Sequence, residues 1–295
     1  MRAMTEVSRA TPPFFQTQAL ITHHAAVSSR YFLLRLRCEE VARRALAGQF
    51  VMLACAPDNG GVSQPLLPRP LAILDARGDE IELLYFVAGE GTAVLRRTAE
   101  GAHATHAPTR LRLIGPLGRG FTPIAGVEAH VALGGGSGMA PLVFFFRRSS
   151  ARMALNTGTQ SSWHLILAAR TAEQLPGETA VGAPGTVLRA TDDGSAGFHG
   201  TAVDALQALL AGELAGKRVG IYAAGPEPML RATAQLARKL GLPCRVSLEQ
   251  RMACGVGVCR ACVVDGRAPH AKTGLFRRTV CQDGPVFDID ELAGW

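Results

Sequence analysis

Four cysteines toward the end of the chain constrain it more than any other feature: Cys254, Cys259, Cys262 and Cys281 follow one another at x4, x2 and then eighteen-residue spacing. That spacing is the plant-type ligand run for a [2Fe–2S] cluster, in which four thiolates bind two irons. Gly255 and Gly257 fall in the first gap. Glycine enters positive-φ backbone freely and has no Cβ to collide with sulfide, so the loop can wrap a bulky anionic object and aim backbone N–H groups at sulfur. Two other readings fit the same residues: free buried cysteines, or a zinc site, although zinc sites more often show two paired Cys-x2-Cys knuckles. Cys38, Cys55 and Cys244 read as buried packing residues, and seven cysteines with four in one ligand run fit a reducing compartment better than a disulfide framework.

At 295 residues the chain is too long for one small core and is expected to hold two or three domains. Its hydrophobic content of 47% and mean hydropathy of +0.15 are those of an ordinary packed protein. Met1 to Pro13 is polar, and no apolar run approaches the roughly 18 residues of a membrane span. A cytoplasmic location is therefore expected and a membrane partner is not. The net charge of +7 and pI near 9.4 raise nucleic acid as a partner. The cations, however, are scattered in pairs such as Arg43-Arg44, Arg96-Arg97, Arg147-Arg148 and Arg277-Arg278, with no basic stripe and no interleaved aromatics. A solvated surface is the better reading and an acidic protein partner the second.

From Phe14 to about Phe121, short β-type runs alternate with turn residues: Gln18–Ala26, Tyr31–Arg37, Phe50–Ala54, Leu71–Leu74, Ile81–Phe86 and Leu111–Ile114. This is the pattern of a small antiparallel barrel. Arg69, held between Pro68 and Pro70, sits on rigid backbone that suits a guanidinium gripping phosphate; a surface arginine at a strand start reads the same way. Gly89-Glu90-Gly91-Thr92 opens a short helix whose free N–H groups can hold an anion, and a plain turn and cap has the same appearance.

Beyond about Thr122, strands alternate with helices: His130–Leu133, helix Leu142–Phe146, His164–Ala169, Thr186–Ala190, helix Thr201–Leu210, Arg218–Ala224 and helix Pro228–Leu240. Alternation of this kind implies a parallel sheet with right-handed crossovers. The glycine turn holding Gly134, Gly136 and Gly138, between a strand and a helix, is either a dinucleotide phosphate cradle or a tight structural turn. Polar residues at strand ends, Arg170-Thr171, Thr191-Asp192-Asp193-Gly194-Ser195 and Gly225-Pro226-Glu227, mark the edge of an open α/β sheet where ligands sit. Ser149–Trp163 is polar and rich in small residues, and reads as an inserted loop. The stretch from Ser247 onward is too short to bury much core alone, so metal ligation is expected to hold it together.

Together these motifs resemble the electron-transfer subunit of type B dihydroorotate dehydrogenase, within the ferredoxin-reductase-like flavoproteins. The resemblance spans most of the chain. It rests on Arg69-Pro70-Leu71-Ala72, Gly89-Glu90-Gly91-Thr92, the runs Gly115 to Phe121, Gly134 to Pro141, Ala190 to Ser195 and Gly225 to Met229, then Ser247-Leu248-Glu249 and Cys281 to Phe287. It implies a multidomain β plus α/β fold: an antiparallel FAD-binding β-barrel over 14–122, a parallel-sheet NAD-binding α/β domain over 123–246 and a small [2Fe–2S] domain over 247–295. FAD would contact Arg69, Pro70, Leu71, Ala72, Leu84, Tyr85, Phe86, Gly91 and Thr92. NAD would lie on the α/β domain, at Gly134, Gly136, Gly138, Arg170, Asp192, Gly225 and Pro226, and Cys254, Cys259, Cys262 and Cys281 would hold the cluster. The implied partner is an FMN-containing catalytic subunit, in a heterotetramer, that interconverts dihydroorotate and orotate and binds the pyrimidine itself.

Nicotinamide moves two electrons as hydride, an iron–sulfur cluster moves one at a time, and a flavin handles both, so the order is NAD(H), FAD, cluster, partner FMN. No side chain of this chain needs to act as a general base. For the nucleotide, Glu173 and the resemblance favour NAD, whereas Arg170 can serve a 2′-phosphate. Two positions depart from the family pattern. Ala72 stands beside the expected flavin ring where the family usually has serine or threonine, and Ala224 precedes Gly-Pro where it usually has cysteine. They motivate a non-catalytic redox sensor that lost hydride transfer, while the same modules also fit a reductase subunit for another flavoprotein or ferredoxin partner.

Overall fold

The computed structural model describes residues 14–57, 65–105, 108–155, 161–177 and 186–295; Met1 to Pro13 lies outside them. The first unit is a closed antiparallel barrel of six strands: β1 (Phe15–Ala26), β2 (Tyr31–Arg37), β3 (Phe50–Leu53), β4 (Arg69–Arg77), β5 (Glu80–Phe86) and β6 (Arg110–Leu117), in the order β1-β2-β5-β4-β3-β6. Successive side chains on a strand face opposite ways. In β3, Val51 and Leu53 accordingly join the barrel core, while Phe50 and Met52 belong to a second core shared with the C-terminal segment. Helix α1 (Glu39–Ala42) is a single turn, and α2 (Glu90–Thr105) packs on β1. The α2 helix runs well beyond the short helix expected, because its later residues are too polar to show an apolar stripe.

The second unit is a seven-stranded sheet of β7 (Ala129–Gly135), β8 (Ser162–Ala169), β9 (Thr186–Thr191), β10 (Phe198–His199), β11 (Val219–Ala224), β12 (Cys244–Ser247) and, from the C-terminal segment, a strand over Val286–Asp288. Helices α3 (Met139–Leu155), α4 (Ala202–Ala211) and α5 (Glu227–Leu240) connect the strands. Thr201 and Asp204 form a capping box that starts α4, and Gly241, at φ +65°, ends α5. The α3 helix continues to Leu155, so the first part of the loop expected over Ser149–Trp163 is helical, and its last residues open β8. Ser150 donates from Oγ to the Phe146 carbonyl at 2.6 Å, which is how a hydroxyl is accommodated inside a helix.

Strand order runs β10-β9-β8-β7-β11-β12, so the direction of winding reverses between β7 and β11. The crevice at such a reversal, beyond the carboxyl ends of the strands, is where an open α/β sheet binds ligands. The barrel is tied to this unit by a buried ion pair, Arg147 Nη1 to Asp75 Oδ2 at 2.9 Å, linking α3 to β4.

Within the C-terminal segment, β13 (Val263–Asp265) and β14 (Arg277–Thr279) form a hairpin, and β15 (Val286–Asp288) pairs antiparallel with β12 through Arg245↔Asp288, Val246↔Phe287 and Ser247↔Val286. Arg119 of the barrel donates to the Asp283 carbonyl at 2.8 Å, and Arg238 of α5 donates to the Trp295 carbonyl at 2.7 Å. Ladder pairing and these hydrogen bonds therefore hold the segment alongside any metal ligation. Cys38, Cys55 and Cys244 are buried as expected, and burial pushes the Cys38 thiol up to about 12.

Candidate functional site

Three walls enclose a cavity of about 290 Å³. The barrel contributes Phe50, Arg69 to Ala72, Leu84 to Phe86 and Thr92; the sheet unit contributes Ser137, Gly138, Pro141 and Ala224; the C-terminal segment contributes Ser247 to Gln250, Met252 and Pro285. All the sequence-expected barrel residues except Gly91 thus meet in one place with both departure positions. Sequence reasoning missed the third wall, although Ser247-Leu248-Glu249 directly ahead of the cysteines was its signal.

The Arg69 guanidinium lies against Gly91, at the first turn of α2: a Cβ on Gly91 would collide with its Nε and Cζ atoms. Arg69 also donates from Nη1 to the Leu67 carbonyl at 2.6 Å. Thr92 spends its hydroxyl on the turn, accepting from Ala88 N at 2.8 Å and donating to the Gly89 carbonyl at 3.1 Å. A cation beside a helix N-terminus is an arrangement able to hold phosphate oxygens. Tyr85 presents less than its position suggests, because its hydroxyl is 2.9 Å from His24 Nε2, and burial pushes the phenol up.

In the glycine turn, a Cβ on Gly138 would land on the Ala224 carbonyl, and one on Gly225, at φ +153°, would lie 2.8 Å from the Gly135 carbonyl oxygen. These two glycines let the ends of β7 and β11 touch backbone to backbone. Gly136, at φ +60°, has only the Tyr31 hydroxyl near a would-be Cβ, at 3.7 Å, so the turn is open there. Ser137 donates from Oγ to Glu249 Oε1 at 2.7 Å.

Gly225 lines a second, polar cavity of about 220 Å³ on the far side of Leu248 to Gln250, with Glu227, Arg231, Asp265 and Trp295. Pro226 caps α5 beside it. Arg170 and Asp192 lie beyond the ends of β8 and β9 and line neither cavity. That edge is tied down by Ser195, which accepts from Ala172 N at 2.8 Å and donates to Asp193 Oδ1 at 2.6 Å. Its hydrogen bonds hold the Asp193 carboxyl below the usual range.

The four cysteines come together two by two. Cys259 N approaches Cys254 Sγ at 3.4 Å, Gly257 N approaches Cys281 Sγ at 3.2 Å, and Cys281 N approaches Cys262 Sγ at 3.4 Å. Burial opposes ionisation of Cys254, but N–H groups of Cys259, Val256 and Val258 and the Cys259 thiol bring it down to about 7. The hydrogen bond from the Cys281 thiol, helped by backbone N–H groups and opposed by burial, brings Cys262 down to about 6 and raises Cys281 in turn. Among the described residues no group of three or more His, Cys, Asp or Glu could hold a single metal ion. Pairs Cys254/Cys259 and Cys262/Cys281 match two irons each taking two thiolates, whereas a structural zinc draws four ligands to one point. Gly255 and Gly257 have the positive φ expected of them, +71° and +82°, but the atoms that exclude a Cβ there are those of Met52 and Gln282.

Barrel, reversed-winding sheet and cysteine segment meeting at one cavity define a ferredoxin-reductase-like oxidoreductase that carries an iron–sulfur module. The solved structure of an NADH-dependent reduced ferredoxin-NADP oxidoreductase superposes with a TM-score of 0.70 at 25% identity, covering 94% of this chain and 90% of that one. A ferredoxin reductase in carbazole 1,9a-dioxygenase shares the fold, with a TM-score of 0.60 at 21% identity over 78% of this chain and 67% of its own. The family described as the iron-sulfur cluster binding domain of dihydroorotate dehydrogenase B matches residues 249–293. The protein from Geobacillus thermodenitrificans named dihydroorotate dehydrogenase B (NAD(+)), electron transfer subunit, is 35% identical over 90% of this chain and 94% of its own. Its namesake from Caldanaerobacter subterraneus is 31% identical over 83% of this chain and 86% of its own. The chain belongs to this family of electron transfer subunits.

Proposed function

We propose that this chain passes electrons between NAD(H) and an FMN-containing dihydroorotate dehydrogenase catalytic subunit, using FAD and a [2Fe–2S] cluster of its own. The observation that carries the reading is the single cavity where the Arg69–Gly91 cradle, the glycine turn and the segment leading to the cysteines converge. When bound, the flavin supplies the exchange between two-electron hydride chemistry and one-electron transfer. Arg69 and the start of α2 neutralise and orient phosphate oxygens, while Pro70 to Ala72 and Leu84 to Phe86 give an apolar wall that excludes water. Ser137, Gly138 and Ala224 face that wall and fit the nicotinamide end of NAD, with Gly134, Gly136, Gly225 and Pro226 shaping the crevice and Arg170 and Asp192 toward the adenosine. Cys254, Cys259, Cys262 and Cys281 are the donor set for the cluster, and Cys254 and Cys262 are already drawn toward thiolates. No side chain is assigned as a general acid or base.

The working division into units is 14–122, 123–246 and 247–295, with Val286–Asp288 lent back to the middle unit's sheet. NAD is favoured over NADP by the name the relatives carry, and comparing kcat/KM for NADH and NADPH tests it. Seven free cysteines suit a reducing compartment, so the cytoplasm is the proposed location. No helix of the described residues is long and apolar enough to cross a membrane. The test of the whole reading is to purify the chain with its co-purifying partner, measure FAD, iron and acid-labile sulfide, and assay NAD⁺-linked dihydroorotate oxidation. Zinc without iron would overturn the cluster assignment. Absence of flavin reduction by any pyridine nucleotide would favour the sensor alternative that Ala72 and Ala224 motivate.

A further inference from the structure

The cavity and the cysteine loop share one piece of barrel wall. On the outward face of β3, Phe50 lines the cavity, and two residues on, about 7 Å along a strand, Met52 is fully buried beneath the loop. Register reinforces this: Phe50 pairs with Ala72 and Met52 with Pro70, and both partners line the cavity. A Cβ on Gly255, the residue after Cys254, would collide with Met52 Cγ and lie 2.9 Å from its Sδ and 3.3 Å from Leu117 Cδ1. Met52 also shares its core with Leu117, Cys262, Cys281 and Val280. The loop backbone therefore rests directly on the thioether, with no side chain of its own between.

We infer that Met52 is a positioning residue for electron passage. By seating the Cys254–Cys259 loop on the strand that walls the cavity, it sets the gap between the flavin and the cluster. This rests on the cofactor assignment above. No other residue of β3 can do the same, since Val51 and Leu53 face the barrel interior and Phe50 faces the cavity. Methionine suits this place because it is unbranched and fills an irregular space, so it can meet a bare glycine backbone closely. The placement also gives Gly255 a second reason to be glycine, beyond its φ.

The decisive variant is Met52→Ala, with Met52→Leu as the volume-conserving control, each purified as the holoprotein with its partner. Expected for Met52→Ala is wild-type FAD, iron and labile sulfide, wild-type flavin reduction by NADH in stopped flow, and severalfold slower cluster reduction. Amide exchange should rise across 254–262, and the magnetic interaction between flavin radical and reduced cluster, which reports their separation, should change. Met52→Leu should restore all of these. Should Met52→Ala fold poorly, Met52→Val reads the same quantities with a smaller truncation. Cluster reduction at the wild-type rate, or unchanged exchange and magnetic interaction with altered rate, would overturn the inference. Failure of NADH to reduce the flavin in the unmodified protein would instead overturn the function proposed above.

Discussion

Ser137 donates a 2.7 Å hydrogen bond to Glu249, joining the glycine turn of the sheet unit to the segment that leads into the cysteines. Both line the cavity that Ala72 also lines. The contact is exposed, so it adds little to stability; on the function proposed above it would offer polar partners to the nicotinamide carboxamide. Glu249→Ala is expected to leave the thermal midpoint nearly unchanged and to raise KM for NADH roughly threefold to tenfold, the worth of one hydrogen bond of about 0.5–1.5 kcal/mol. Steady-state reduction of an artificial acceptor by NADH measures it.

Ala72, from the barrel, and Ala224, from the sheet unit, line the same cavity, and on the function proposed above a hydroxyl or thiol introduced there would lie beside the flavin and the nicotinamide. Ala72→Ser and Ala224→Cys are each expected to accelerate flavin reduction by NADH, by up to roughly tenfold, because one added hydrogen bond near 1.4 kcal/mol lowers the barrier by that factor. Stopped-flow absorbance of the flavin checks this, and passage to the cluster should be unaltered.

Cys259 is the most exposed of the four cysteines, and its N–H and thiol both support Cys254. Cys259→Ser is expected to lose iron and acid-labile sulfide while retaining FAD, because the barrel closes without it. Hydrogen exchange should rise between the β12 and β15 strands, not through them, since the ladder Ser247↔Val286 and the Arg119 contact to Asp283 do not involve the metal. Exchange rising equally in β15 would show that the cluster alone holds the segment.

His130 stacks on Trp163 and bonds through Nδ1 to the Tyr222 hydroxyl at 2.9 Å, and burial pulls it down from 6.5 to about 4. Burial also lowers His164. A histidine neutral in the fold but protonated in the unfolded chain contributes stability that is full above 6.5 and is lost as pH falls toward 4. The urea midpoint should fall across that window, and His130→Gln should flatten the slope while lowering the midpoint at neutral pH.

Most of the barrel was legible because its strands carry alternating apolar residues between turn signals, and the four-cysteine run was legible from spacing, though not which cysteines pair. Tertiary partners decided the rest. β12 and β15 are too short to announce themselves and become strands by joining the sheet, β12 alongside β11 and β15 by pairing with β12 across the whole cysteine segment. The third wall of the cavity escaped notice for the same reason: Glu249 and Met252 belong in sequence to the cluster region and in space to the cavity beside the barrel. Polar composition misled over Ser149 to Leu155, where α3 simply continues.

Because Ser247 and Val286 sit opposite each other in one ladder, everything between them leaves and re-enters the sheet at a single point. Topologically the iron–sulfur region is an insert in a hairpin rather than a terminal appendage. Loop-closure entropy grows about 0.6 kcal/mol per doubling of length, so this excursion costs the hairpin about 2 kcal/mol more than a tight turn would. A version in which Leu248 to Pro285 is replaced by a tight turn should keep both the barrel and all seven strands of the sheet. The same junction thus attaches the one-electron module through two neighbouring strands without interrupting the order of the reductase sheet.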